Sequence, residues 1–150
     1  MSEGIGRADL KAGAVNWEKE SHGARLQVMT VIHEGLASAA VELALLGIPS
    51  QDFQITKAVA QLDHDGTGSG NEIAIDLLVD GTTILDAVID LILATDAAGD
   101  APEAFDIDET PGADLSLIPK DSVFQAEFTG GGTVTTPAHV AVYIEGYYVD

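Results

Sequence analysis

The chain has 150 residues, of which 46% are hydrophobic and none is cysteine, and its 25 acidic residues against six basic ones give a formal net charge of −19. That length holds one domain with its own core, and the lack of thiols excludes disulfides, thiolate metal centres and cysteine nucleophiles. With no basic patch on the body, nucleic acid is not an expected partner, and no apolar run reaches the 18 residues of a membrane span, so no membrane is expected either.

Residues 1–24, MSEGIGRADLKAGAVNWEKESHGA, have scattered apolar positions and no sustained period, and read as an N-terminal arm. Four bases (Arg7, Lys11, Lys19, Arg25) and four acids (Glu3, Asp9, Glu18, Glu20) lie in the first 25 positions, so that stretch is formally neutral. The other 21 acids and two bases put the whole net charge on residues 26–150. The arm shows no basic-then-apolar pattern, so no secretion signal is expected. It holds the single tryptophan, Trp17, which a freely solvated tail has little use for, and the arm is expected to order against a surface.

From residue 25 onward short alternating segments replace it. In LQVMTVIHE, residues 26–34, both parities are fairly apolar. Residues 37–49, ASAAVELALLGIP, suit a helix by their Ala and Leu content, but Val41, Leu43 and Leu45 alternate with Glu42 and Ala44, which favours a strand. DFQITKAVAQL, residues 52–62, places Phe53, Ile55 and Val59 on one parity. EIAIDLLVD, residues 72–80, sets Ile73, Ile75, Leu77 and Val79 against Glu72, Asp76 and Asp80, and Asp80-Gly81 supplies a type I′ turn into TTILDAVIDLIL. Residues 95–114 form a long acidic loop. LSLIPKDSVFQAEFT and HVAVYIEGYYVD close the chain as two strands around the Gly-rich GGGTVTTPA. Segments of this kind, spaced by turn residues, predict an all-β fold, an antiparallel β-sandwich or jelly roll over residues 25–150.

Candidate chemistry is thin. Asp63, Asp65 and Thr67, with Gly68 sixth, begin like a calcium loop, but the twelfth position is Ala74 where the bidentate Glu belongs, so residues 63–70 read as a hairpin tip with at most a weak cation site. His22, His33, His64 and His139 have no metal-ligand spacing. Asp114 with Asp121, or Glu127 with Asp76, are conceivable carboxylate pairs, but chance brings some pairs together among 25 acids. GGGTVTT lacks the lysine of a phosphate loop, and no serine sits in a nucleophile elbow. No catalytic residue, metal or cofactor is expected. A surface this acidic and lysine-poor repels itself in dilute buffer, whereas at about 1 M salt the Debye length shrinks to roughly 3 Å and the penalty largely disappears. The composition is that expected of an extreme halophile.

Taken in order, FQITKAVAQLD, GTGSGNEIAIDLLVDGTTIL, and LIPKDSVFQAEFTGGGTVTTPAHVAVYIEGYYV resemble the jelly-roll modules in structural proteins of tailed bacterial and archaeal viruses. The matching positions are Ile55 to Leu62, Gly66 to Gly70, Ile73 to Leu85 with Asp80-Gly81-Thr82, Ile118 to Phe128 with Lys120-Asp121, and Ala138 to Tyr148 with Glu145-Gly146-Tyr147. The resemblance implies a capsid decoration, turret or head-fibre protein at the virion surface. It implies a homo-oligomer, a trimer or at five-fold vertices a pentamer, with the major capsid protein as partner. On that reading Leu10 and Trp17 anchor the arm to the capsid, and Phe128, Val140, Tyr143 and Tyr147 lie at the oligomer interface. A receptor-binding spike or tail-fibre domain that recognises a host glycan or protein through residues 95–114 or 63–71 is the alternative, and a cellular carbohydrate-binding module a further one. The acidity suits a halophilic archaeal host.

Overall fold

The computed structural model describes residues 26–34, 41–64, 67–69, 72–92, 100–111, 114–131, 133–136 and 139–149. The arm with Leu10 and Trp17, and also Asp65, lies outside these. The regular structure of the described residues is all strand: β1 (Leu26–Glu34), β2 (Val41–Gly47), β3 (Asp52–His64), β4 (Thr67–Ser69), β5 (Glu72–Val79), β6 (Thr82–Thr83), β7 (Leu85–Ala87), β8 (Ile89–Ile92), β9 (Glu103–Ala104), β10 (Asp106–Ile107), β11 (Leu117–Ile118), β12 (Phe124–Gly130), β13 (Thr133–Thr136) and β14 (His139–Val149).

Two antiparallel sheets face each other, one ordered β1-β14-β3-β11 with β9 beside β3, the other β2-β12-β5-β6 with β8 beside β5. The pairs β1 with β14, β2 with β12, β3 with β11 and β5 with β6 nest inside one another along the chain. The chain is thus one long antiparallel ribbon, folded at its middle and wound into a sandwich, which is the topology of a jelly roll. The fold point is Asp80-Gly81, whose φ angles of 51° and 81° are those of the expected type I′ turn.

The expected alternation holds where a strand has one wet face. In β12, Phe124, Ala126, Phe128 and Gly130 are buried and the residues between them half-buried, and β14 buries Val140, Val142, Ile144 and Gly146 in the same way. Ile73, Ile75 and Leu77 of β5 point inward as predicted. These side chains join Phe53, Ile55, Leu62, Ile84, Leu91 and Ile118 in a single core between the sheets.

Three expectations are corrected. Residues 63–71 are not the tip of a hairpin, because β3 and β5 belong to opposite sheets; the connection crosses the sandwich, and β4 within it pairs with β13 in the equivalent crossing from β12 to β14. Residues 115–129 are likewise two strands, since the chain changes sheets at Pro119–Val123 between β11 and β12. Val59 does not share a face with Phe53 and Ile55. Ile55 opposes Gly146 and Lys57 opposes Glu145, so Thr56 is an extra residue, and this β-bulge turns Ala58, Ala60 and Leu62 inward and Val59 outward.

One end of the sandwich is laced by hydrogen bonds among its turns. Asp121 N–H donates to Pro49 O at 2.8 Å, Asp80 N–H to Val123 O at 2.9 Å, and the carboxylates of Asp80 and Asp52 accept from Val123 N–H and Lys120 N–H, each at 2.8 Å. Asp121, from the Lys120-Asp121 motif, takes a φ of 63°, an uncommon conformation that Asp tolerates better than most residues.

Gly146 sits where the bulge brings the backbones together. A Cβ there would overlap the Gln54 carbonyl oxygen and come within 2.6 Å of the Phe53 ring. The carbonyl belongs to the paired backbone of β3 and the ring is fully buried, so neither can move aside. Gly146→Ala should therefore destabilise the domain by about 3 kcal/mol, the upper end of ordinary overpacking, and a denaturant midpoint matching the parent would refute the assignment.

Candidate functional site

The outer faces of the two sheets differ in chemistry. On the first, the cross-strand rows run Leu26–Tyr147, Val28–Glu145–Lys57, Thr30–Tyr143–Val59 and Ile32–Ala141–Gln61. Leu26, Val28 and Ile32 are each about half exposed, and Tyr147 is 37% exposed. The charges in these rows are Lys57 and Glu145, one of each sign. The Tyr143 hydroxyl donates to Glu145 Oε1 at 2.5 Å, and Lys57 Nζ lies 5.7 Å from the centre of the Tyr143 ring. That hydrogen bond, with a smaller contribution from burial, raises the Tyr143 phenol above its ordinary 10. A groove of about 380 Å³ runs along this face between Ile32 and Pro102, with Val59 and Ala141 in its lining.

On the second sheet, Val41, Leu43 and Leu45 of the edge strand β2 are exposed. Beside them Leu43 pairs with Glu127, which pairs in turn with Asp76. Like charges directly opposite across an antiparallel pair repel each other. Asp76 is held by the Thr83 hydroxyl, which donates to it at 2.6 Å. Of the two carboxylate pairs considered in the sequence, this one does meet. Asp114 instead binds Ser116, through the backbone N–H at 2.9 Å and the hydroxyl at 2.5 Å.

The residues expected at an oligomer interface divide. Phe128 and Val140 are 0% and 1% exposed within the single chain, so they have no surface to offer a second one. Both occupy inward positions of their strands, and Phe128 stacks on His33 with ring centres 4.6 Å apart. Tyr143 and Tyr147 do lie on the outer face of the first sheet. His33 Nε2 approaches Glu42 Oε2 to 2.9 Å across the β1/β2 edge, without the alignment of a hydrogen bond. In the candidate cation loop, Asp63 falls in β3 and Thr67 opens β4. Among the described residues no three His, Asp or Glu side chains converge as metal ligands.

The chain shares its fold with a viral capsid chain. The similarity is to a chain of the cyanophage Pam1 capsid asymmetric unit, with a TM-score of 0.50 at 13% identity, over 83% of this chain and 84% of that one. No protein-family model matches the sequence, and no curated protein matches it.

Within this jelly roll the described part of the acidic stretch, residues 100–111, is more built than a loop. β9 pairs with β3 and β10 with β7. Asp108 accepts from both the backbone N–H and the hydroxyl of Thr110, at 2.9 and 2.6 Å, matching the Asp114–Ser116 arrangement six residues on. A cleft of about 440 Å³ separates this segment from β3 beside the bulge, lined by Thr56, Lys57, Phe105, Asp106 and Glu109 among others.

The apolar rows on β1 and β2 are what the sequence reading missed as surfaces. For β1 the signal was the apolar character of both parities in LQVMTVIHE, which a strand with one wet face does not need.

The hydroxyl and backbone hydrogen bonds lower the pKa of both Asp108 and Asp114 from the ordinary 3.8. A lowered folded value means that the stability these bonds contribute is present above 3.8 and is lost as pH falls through the folded pKa. Amide NMR signals of Thr110 and Ser116 should hold constant down to that value and move below it, ahead of global unfolding. Signals that shift well above it would contradict the two turns.

Proposed function

We propose that this chain is a virion structural protein, a capsid decoration or turret protein that forms a homo-oligomer and binds the major capsid protein. The observation that carries the reading is the jelly roll it has in common with a chain of the cyanophage capsid asymmetric unit. The role is adhesive. Leu10 and Trp17 of the neutral arm lie along the major capsid protein, the sandwich assembles as a trimer, or as a pentamer at five-fold positions, and the acidic surface faces solvent at the outside of the capsid. Its charge is matched to the brine of a halophilic archaeal host, where salt screens the repulsion within and between copies.

A receptor-binding role on the same fold has one observation in its favour. The described residues of the 100–118 segment, 100–111 and 114–118, include two Asp turns and line a cleft against β3. Binding of the purified protein to host cells, lost on replacing that segment, distinguishes this reading from decoration. A carbohydrate-binding module draws less support, because it needs a row of exposed aromatic rings. All four phenylalanines, Phe53, Phe105, Phe124 and Phe128, are buried.

Trp17→Ala should leave the sandwich folded and reduce its recovery with purified particles by at least ~10-fold, the loss of one buried aromatic anchor at an interface. Fully decorated particles from this variant, seen by electron microscopy, would remove Trp17 as the anchor.

A further inference from the structure

We propose that the outer face of the first sheet, from β1 across β14 to β3, is the surface on which a second copy of this chain docks. The inference rests on the assembly reading above and names the surface it uses.

Leu26, Val28 and Ile32 are 56%, 49% and 54% exposed and stand along one side of this face. Beside them the groove with Val59 and Ala141 in its lining gives a relief into which an apolar ridge can seat. Charge decides the occupant. Each copy carries −19, so two copies meet at least electrostatic cost where the surface has no net charge. The four rows of this face that lie between the Glu34–His139 pair at one end and the Val149–Asp52 pair at the other meet that condition, with Lys57 and Glu145 as their charges. These also make the patch self-complementary, since each copy offers the other one positive and one negative group. The apolar row on β2 does not meet it, because Leu43 abuts the opposed Glu127 and Asp76. A copy docked there would set carboxylates against carboxylates. A cationic partner would be drawn to the acidic loops and not to this face.

The test is the mass in solution of the full chain, by size exclusion with light scattering in about 1 M salt, where screening is strong. The parent should run as a multiple of the 15.5 kDa chain. The double variant Val28→Lys/Ile32→Lys should run as one chain with its strand circular dichroism retained, and Val88→Lys, an exposed site outside the face, should keep the multiple. Should the double variant fail to fold, hydrogen exchange on the unaltered protein reads the same surface: dilution should speed exchange in β1 and β14 and leave β5 and β12 unchanged. The proposal is overturned by a parent that is one chain at every concentration, by a folded double variant that keeps the parent mass, or by dilution that leaves β1 and β14 unaffected. A protein that assembles through this face but is missing from particles would instead count against the virion reading.

Discussion

Apolar burial between two sheets has to hold together a body that carries all nineteen uncompensated negative charges, and most of the structure follows from that opposition. Hydrophobic burial is non-directional and grows with area, whereas repulsion between surface charges falls off with distance and with salt. The jelly roll meets both demands. It places Phe53, Phe124, Phe128, Ile75 and Leu77 where none is exposed at all. It also leaves Asp80, Asp86, Asp90, Asp106, Glu109 and Asp121, among others, exposed to water. Several carboxylates have structural work in hydrogen bonds to backbone N–H groups, as Asp52, Asp80, Asp108 and Asp114 do.

Legibility in the sequence followed the number of wet faces on each strand. β5 turns Ile73, Ile75 and Leu77 inward, so period-two alternation identified it, and the Asp80-Gly81 turn was readable because its conformation asks for those residues. Sheet membership was not readable. A crossing between sheets and a hairpin need the same glycines and polar residues, and so 63–71 looked like a tip and Phe128 and Val140 looked available for contact. The bulge at Thr56 hid in the same way. One inserted residue reverses parity, and nothing in TKAVA marks it except that the reversed positions, Ala58 and Ala60, are small. The arm's candidate anchors, Leu10 and Trp17, lie outside the described residues.

The contrast between the two outer faces links the fold to the proposed role. A protein that decorates a surface has to be repelled by most of what surrounds it and adhere at chosen places. A polyanion with a near-neutral apolar patch in the middle of one face has that property built in. The same bulge that fits Gly146 under Phe53 turns Val59 outward beside Tyr143, so the packing of the core and the composition of the face are set by one irregularity in β3.

The claim that burial works against unscreened charge is tested most directly by the free energy of unfolding in denaturant as sodium chloride rises from about 0.1 to about 1 M, over which the Debye length falls from roughly 10 to 3 Å. The account predicts stability that climbs steeply at first and levels off once screening is complete. A protein as stable in dilute buffer as in concentrated salt would contradict it.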